Sequence, residues 1–141
     1  MVTVPGRPGT VAGMALRAFP VLYAKDVERV AAFYARLGFE ERFRMADENG
    51  AIGFVALVRD GAELGVTTEA SPRVLAGVEP GPGPRHELFV YVEDVDATFD
   101  LVRDAGAGAL REPADMPWGE RVAFVTDPEG NVVTLAAAPG A

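Results

Sequence analysis

Few residues in this sequence could carry out acid–base, nucleophilic or metal chemistry. His86 is the only histidine, Glu87 follows it directly, and there is no cysteine. With one histidine and no cysteine, a catalytic triad of nucleophile, base and orienting acid cannot be assigned. Neither a disulfide nor a thiolate metal site can form. Neighbouring side chains on a strand point to opposite faces, so His86 and Glu87 would not act together on one ligand. We expect His86 to lie at the surface or at the end of a linker.

The aromatic side chains are better suited to bind a molecule than to transform one. Trp118, the only tryptophan, lies between a proline and a glycine in a predicted loop, where it need not be buried. An indole offers a large, stiff surface that stacks on planar or cationic groups. Asp115 and Glu120 flank it, and two carboxylates beside a loop are most often solvated charge. We therefore expect Trp118, rather than its acidic neighbours, to contact a ligand.

A second group of candidates lies on predicted strands. Glu87, Phe89 and Tyr91 alternate along one strand and so share a face, which would form one wall of a cleft. The Glu87 carboxylate could be satisfied within the protein or could accept a hydrogen bond from a ligand amine. Phe39, just after a predicted helix end, fits a core as well as a site. The predicted ligand-binding residues are Trp118, Glu87, Phe43, Phe39, Tyr91, Phe89 and Phe54.

The overall composition predicts one folded, acidic domain. Hydrophobic residues make up 49% and charged residues 24% of the 141 residues, which is the balance of a globular protein. The formal net charge of −8 argues against a nucleic-acid partner, because binding one requires clusters of Lys and Arg. The same charge would attract a cationic ligand over long distances.

The hydropathy of the sequence indicates a cytoplasmic protein without a membrane partner. Residues 1–14 contain one basic residue, Arg7, and no long apolar run, so we expect a flexible leader there rather than a signal peptide. No stretch approaches the roughly 18 apolar residues that span a bilayer. The lack of cysteine suits a reducing compartment.

A repeated unit must position the candidate residues. A β-prone run ends before Asp26, a helical apolar stripe follows it, and Gly38 ends the predicted helix. The same order returns 68 positions later, with Asp94 and Gly106 in the equivalent places. The sequence therefore predicts two copies of one half.

Each predicted helix lies between one strand and three further strands. In the first half the strands are Leu16–Ala24, Glu40–Met45, Ile52–Arg59 and Ala62–Thr68. In the second half they are Glu87–Asp94, Ala109–Glu112, Arg121–Thr126 and Val132–Ala137. We predict an α+β fold of two tandem βαβββ modules, at 15–76 and 86–141 with a linker at 77–85, whose curved mixed sheets enclose a cleft.

Several segments resemble one large superfamily. They are Phe19–Val27, Ala32–Tyr34, Leu37–Phe39, Pro117–Arg121 and Asp127–Asn131, which read FPVLYAKDV, AFY, LGF, PWGER and DPEGN. With these segments the sequence is similar to the glyoxalase/bleomycin-resistance/extradiol dioxygenase superfamily, also called the vicinal oxygen chelate superfamily. The PVL and PWG segments look most like the drug-binding proteins of the bleomycin-resistance type.

The resemblance also locates where a metal would bind. In the metalloenzymes of the superfamily, His, Gln or Glu ligands lie at equivalent places in the two halves, and these correspond here to Phe19, Gly65, Glu87 and Thr134. Only Glu87 is a competent ligand, whereas a catalytic metal needs two or three protein donors. We therefore expect neither a metal nor another cofactor.

The resemblance implies a homodimer, in which halves could be exchanged between subunits, and a cleft where Trp118 and Phe43 match drug-contacting aromatic positions. We predict a metal-free protein that sequesters a toxic natural product, such as a bleomycin-like, mitomycin-like or enediyne-like antibiotic, and so confers resistance. The alternative is an enzyme of the same superfamily, a lyase or dioxygenase with displaced metal ligands or with Glu87 as an acid. A binding module of a biosynthetic or regulatory pathway would have the same cleft.

Overall fold

Two mixed four-stranded sheets, with helices packed on them, make up residues 17–138, the part of the chain that this computed structural model describes. The predicted leader at residues 1–14 lies outside it. The first half consists of β1 (Val21–Ala24), α1 (Val27–Arg36), β2 (Glu40–Ala46), β3 (Ile52–Arg59), β4 (Ala62–Thr68) and α2 (Ala70–Ala76). The second half consists of β5 (Glu87–Tyr91), α3 (Val95–Asp104), β6 (Gly108–Asp115), β7 (Arg121–Thr126) and β8 (Val132–Ala137).

The two sheets have the same topology and the same register. Their strand orders are β1-β4-β3-β2 and β5-β8-β7-β6, so the first strand of each half pairs in parallel with the last. Val21 lies opposite Gly65 in the first sheet, and Phe89 lies opposite Thr134 in the second. These two pairs are equivalent positions of the sequence repeat, so the prediction of an α+β fold with two tandem modules is confirmed.

Matched caps define the two long helices. The Asp26 side chain accepts a hydrogen bond from the backbone N–H of Arg29, and the Asp94 side chain accepts one from Ala97. Caps of this kind stabilise a helix by about 1 kcal/mol each. Gly38 and Gly106 follow the helix ends at φ of 93° and 104°, a conformation that glycine adopts without steric cost. Within residues 17–138, no helix is both long and apolar enough to span a bilayer.

The core lies between the helices and one face of each sheet. Alternate residues of the central strands, such as Val55 and Leu57 on β3 and Val133 and Leu135 on β8, are buried against them. α1 and α3 also contact each other, so the two halves share one hydrophobic cluster. The opposite face of each sheet is not packed against α1 or α3, and part of it is exposed to solvent.

Three strands, β1, β5 and β6, differ from the sequence prediction by more than one residue at one end, and β5 ends at Tyr91 rather than at Asp94. β1 begins at Val21 rather than at residue 16, because Pro20 has no N–H to donate to a sheet ladder. β6 runs through Pro113 to Asp115 instead of ending at Glu112. It is an edge strand with irregular pairing near this proline, so the missing N–H leaves no central hydrogen bond unmade. The short helix α2, before the predicted linker, had no periodic signal of its own.

The DPEGN turn joins the two halves through a buried polar network. The Asp127 carboxylate accepts hydrogen bonds from the Tyr34 hydroxyl at 2.8 Å, from the Asn131 side chain at 3.2 Å and from the backbone N–H groups of Glu129 and Asn131. Asn131 in turn accepts a hydrogen bond from the backbone of Arg85 in the linker. Tyr34, Asp127 and Asn131 are 0–3% exposed. The turn therefore fixes α1, the linker and β8 relative to one another.

Candidate ligand-binding site

Aromatic rings cover the open face of the first sheet. Phe43 and Phe54 lie on the adjacent strands β2 and β3, with ring centroids 5.8 Å apart. The Phe54 ring extends over Gly65 on β4: a Cβ atom at Gly65 would lie 2.9 Å from a ring carbon. A residue larger than glycine at position 65 would therefore displace the ring.

A groove of about 560 Å³ runs along this face. Its floor includes Phe54 and Val21 from the strands, and Ser71 and Leu75 from α2 form part of its wall. The full lining is Val21, Met45, Ala46, Asp47, Glu48, Gly53, Phe54, Thr67, Thr68, Ser71 and Leu75. This volume falls in the usual range for a small-molecule site. The sequence prediction contained only Phe54 of this set, and it did not foresee α2, which contributes Ser71 and Leu75.

The second sheet carries a corner in which one carboxylate joins two aromatic side chains. Glu120 accepts a hydrogen bond from the Trp118 indole N–H at 2.9 Å and another from the Tyr91 hydroxyl at 2.6 Å. The Phe89 ring lies 5.6 Å from that of Tyr91. Trp118 is 59% exposed and Tyr91 50% exposed, so both rings are open to solvent. We name Trp118, Glu120, Tyr91 and Phe89 the aromatic corner.

Glu120 is the residue of this corner that the sequence prediction missed. Two carboxylates flanking a loop tryptophan were expected to be solvated charge, and for Asp115, which is exposed and pairs with Arg121, that description fits. Glu120 is partly buried, and its hydrogen bond to the Tyr91 hydroxyl raises the pKa of that phenol. The Trp118 turn joins β6 and β7, and β8 lies between β7 and β5, so no local pattern in the sequence pointed to a contact with Tyr91.

Phe39 was predicted to bind a ligand, but the structure places it in the core. It is 5% exposed and packs edge-on against Tyr34, with ring centroids 5.9 Å apart. A ring buried to this extent cannot stack on a ligand, so Phe39 is a core residue. Its place directly after the helix end had allowed either assignment.

The positions that would hold the superfamily's metal do not suit one. In the first half they carry Phe19 and Gly65, which have no donor atom in their side chains, and the Phe54 ring covers Gly65. In the second half Thr134 is fully buried and donates its hydroxyl hydrogen bond to Glu87 at 2.5 Å. Among residues 17–138 no three His, Cys, Asp or Glu side chains come together as metal ligands. The residues present do not fit a catalytic metal.

His86 directly precedes β5, at the end of the linker as expected, but its side chain is not freely exposed. The Nε2 atom is buried and has no hydrogen-bond partner within the described chain. This burial lowers the pKa of the imidazole, an effect that Arg85 increases and that the nearby Asp127 carboxylate opposes. His86 is therefore neutral in the folded protein near neutral pH.

We expect His86 to make folding stability pH-dependent over the interval below about pH 7. Since its pKa is lower in the folded than in the unfolded chain, stability is fully present above the unfolded value of about 6.5 and is lost as the pH falls through the folded value. Urea unfolding of the protein and of His86→Gln at several pH values measures this. The variant should lose less stability over this interval; equal losses would contradict the assignment.

Sequence comparison now identifies the fold. The family model for the Glyoxalase/Bleomycin resistance protein/Dioxygenase superfamily matches residues 16–135, nearly the whole of the described chain. The chain belongs to this superfamily. The match includes both sheets, the groove and the aromatic corner.

Relatives and solved structures agree with this membership. The "Probable lactoylglutathione lyase" of Synechocystis sp. is 43% identical over 49 residues, which are 34% of this chain and 37% of that protein. Matches to the curated relatives thus span only 22–37% of their lengths. TioX from Micromonospora sp. ML1 has a TM-score of 0.68 and 27% identity, covering 86% of this chain and 98% of that one. Hypothetical protein SA1046 from S. aureus has a TM-score of 0.73, covering 89% and 96%, and at 18% identity it shows the fold alone.

Proposed function

We propose that this superfamily member is a metal-independent protein that binds and sequesters a toxic natural product, such as a bleomycin-like, mitomycin-like or enediyne-like antibiotic. Holding the compound away from its target would confer resistance without any chemical step. The observation that carries the proposal is the filling of the first-half metal position by the Phe54 ring over Gly65. At this place the chain presents an aromatic wall instead of a ligand.

The remaining open faces support binding of a large, flat molecule. The groove beside Phe54 is predominantly apolar, and the aromatic corner adds exposed rings on the second sheet. Aromatic side chains lose little rotamer entropy when they bind, and so contribute much of the affinity at such surfaces. The net charge of −8 would raise the encounter rate with a cationic compound at low salt.

The names of the curated relatives favour one alternative. A relative called a probable lactoylglutathione lyase suggests an enzyme, a lyase or dioxygenase whose metal is held by atypical ligands. Metal analysis of protein purified without chelator separates the two functions. For a binding protein we expect less than about 0.1 equivalent of zinc, nickel, manganese or iron per chain. An enzyme that uses the superfamily's metal chemistry needs about one equivalent. A stoichiometric metal would overturn the binding-only assignment.

We further propose that the protein acts in the cytoplasm as a homodimer. The open face of the first sheet leaves Phe43 and Met45 about half exposed, and a second subunit could cover them. In this structure the Asp127 network holds the two halves of one chain together, so exchange of halves would require that network to form between chains. Light scattering during size-exclusion chromatography measures the state directly.

Resistance can be tested in cells. Expression of the chain in an antibiotic-sensitive bacterium is expected to raise the minimum inhibitory concentration of at least one bleomycin-, mitomycin- or enediyne-class compound. Trp118→Leu, expressed at the same soluble level, should return the minimum inhibitory concentration to the value measured with the empty vector. Unchanged inhibition by all three classes, with the protein present in soluble form, would contradict a role in resistance.

A further inference from the structure

We propose that Glu120, together with the rings of Trp118 and Tyr91, forms a subsite for the ammonium group of an aromatic ligand. The inference rests on the proposed function, because it assigns a ligand class to the same binding face. Glu120 has two roles in this subsite. It positions the two rings, and it supplies the negative charge that selects a cation.

The hydrogen bonds of Glu120 fix the geometry of the corner. One carboxylate oxygen accepts the Trp118 indole N–H at 2.9 Å, and the other accepts the Tyr91 hydroxyl at 2.6 Å. Each carboxylate oxygen has two lone-pair sites, so the group is not saturated by these bonds. Both rings remain at least half exposed, which leaves their faces open. A cation near the carboxylate would therefore lie against aromatic surface.

Acidic side chains outnumber basic ones around the corner, where Arg59 donates a hydrogen bond to the Tyr91 carbonyl at 2.6 Å. Glu93, Asp94, Asp96 and Asp115 line an adjoining groove of about 340 Å³ that Gly119 also borders. Arg121 lies in the same groove and donates hydrogen bonds to Asp96 and Asp115 at 2.8 and 3.1 Å, so these three side chains together carry one net negative charge. Negative potential and aromatic faces both favour an ammonium group over a neutral group of the same shape.

Glu87, the carboxylate that the sequence analysis favoured for a ligand amine, is a different group in a different place. It accepts the Thr134 hydroxyl, and it lies four residues before Tyr91 on β5, or about 13 Å along the strand. It therefore cannot contribute to the same subsite. The two carboxylates provide a matched pair for experiment.

Two probes of equal shape test the charge preference. We would titrate the protein with (4-hydroxyphenyl)trimethylammonium and with 4-tert-butylphenol at about pH 6, where both hydroxyls stay protonated because phenols ordinarily ionise near pH 10. Trp118 is the only tryptophan, so the NMR spectrum contains a single indole N–H resonance, and its shift reports binding at the corner. We expect the cation to bind roughly ten-fold more tightly than its neutral isostere. Equal affinities would overturn the proposal.

Three variants locate the source of the preference. Glu120→Gln is expected to bring the two affinities within about two-fold of each other. Glu87→Gln and Glu112→Gln, which remove the same charge elsewhere on the second sheet, should retain the wild-type preference. A preference that survives Glu120→Gln, or that Glu87→Gln abolishes, would overturn the assignment to Glu120. If the neutral probe binds as well as the cation, only this inference fails, since sequestration itself is tested by the natural products.

A ligand-free measurement tests the same charge independently. Quenching of Trp118 fluorescence by caesium, iodide and acrylamide reports the potential at the indole. We expect the caesium-to-iodide ratio of quenching constants to fall in Glu120→Gln and to stay constant in Glu112→Gln. Quenching by neutral acrylamide controls for a change in exposure, and all variants should keep the wild-type circular dichroism spectrum. An unchanged caesium-to-iodide ratio would show that Glu120 does not set the charge at Trp118.

Discussion

Replacing Asp127 with alanine is expected to lower the free energy of unfolding by about 3–5 kcal/mol. Its carboxylate is 3% exposed and accepts four hydrogen bonds, one of them from Tyr34 in the other half of the chain. Alanine would leave the Tyr34 hydroxyl and two backbone N–H groups without their partner, and unsatisfied buried donors are costly. Urea denaturation followed by circular dichroism measures the change.

Asp47 provides the matched control for this variant. Its side chain closes a turn of similar design by accepting hydrogen bonds from the backbone of Asn49 and Ala51, but the turn is exposed. Asp47→Ala should therefore cost less than about 1 kcal/mol, because water replaces the lost acceptor. Tyr34→Phe should cost about 1–2 kcal/mol and should not add to the effect of Asp127→Ala, since both remove the same contact. Similar losses of unfolding free energy for the Asp47 and Asp127 variants would contradict the conclusion that the Asp127 network holds the two halves together.

Trp118→Leu is expected to weaken binding of the proposed natural-product ligand by about 30-fold or more, corresponding to about 2 kcal/mol. The indole is 59% exposed in the free protein, and Glu120 holds it in place, so its surface is ordered before a ligand arrives. Leucine retains apolar character but loses most of the flat surface and the hydrogen bond. Isothermal titration calorimetry measures the affinity without the tryptophan signal.

Leu101 is the control for general loss of exposed apolar surface. It is 52% exposed and lies on α3, away from the open face of the sheet. Leu101→Ala should leave the affinity unchanged within about two-fold. Equal effects of the two variants would show that Trp118 has no special role in binding.

The fold was largely predictable because the sequence repeats its own local signals. Asp26 and Asp94 cap equivalent helices, and apolar alternation marked the central strands. The exceptions have local causes. Pro20 shortens β1 at its start, whereas Pro113 is tolerated within β6 because that strand lies at a sheet edge. Helix α2 has only seven residues, too few to show a clear helical period.

The site was less predictable, because it depends on contacts between distant residues. Alternation correctly placed Phe89 and Tyr91 side by side, as their ring separation of 5.6 Å shows. It could not show that Glu120, 29 residues from Tyr91, would accept its hydroxyl proton in a hydrogen bond. Nor could it separate a buried Phe39 from an exposed Phe43, because the register shift between Glu41 and Phe43 interrupts the alternation.

The central claim is that the chain binds its ligand without a metal. The most direct measurement is titration of chelator-treated protein with metal-free bleomycin, mitomycin C and an enediyne, following Trp118 fluorescence and calorimetric heat. We predict micromolar or tighter binding of at least one compound, with the same affinity in the presence of EDTA and after addition of zinc, nickel or manganese. No binding to any of the three, or binding that requires added metal, would contradict the account.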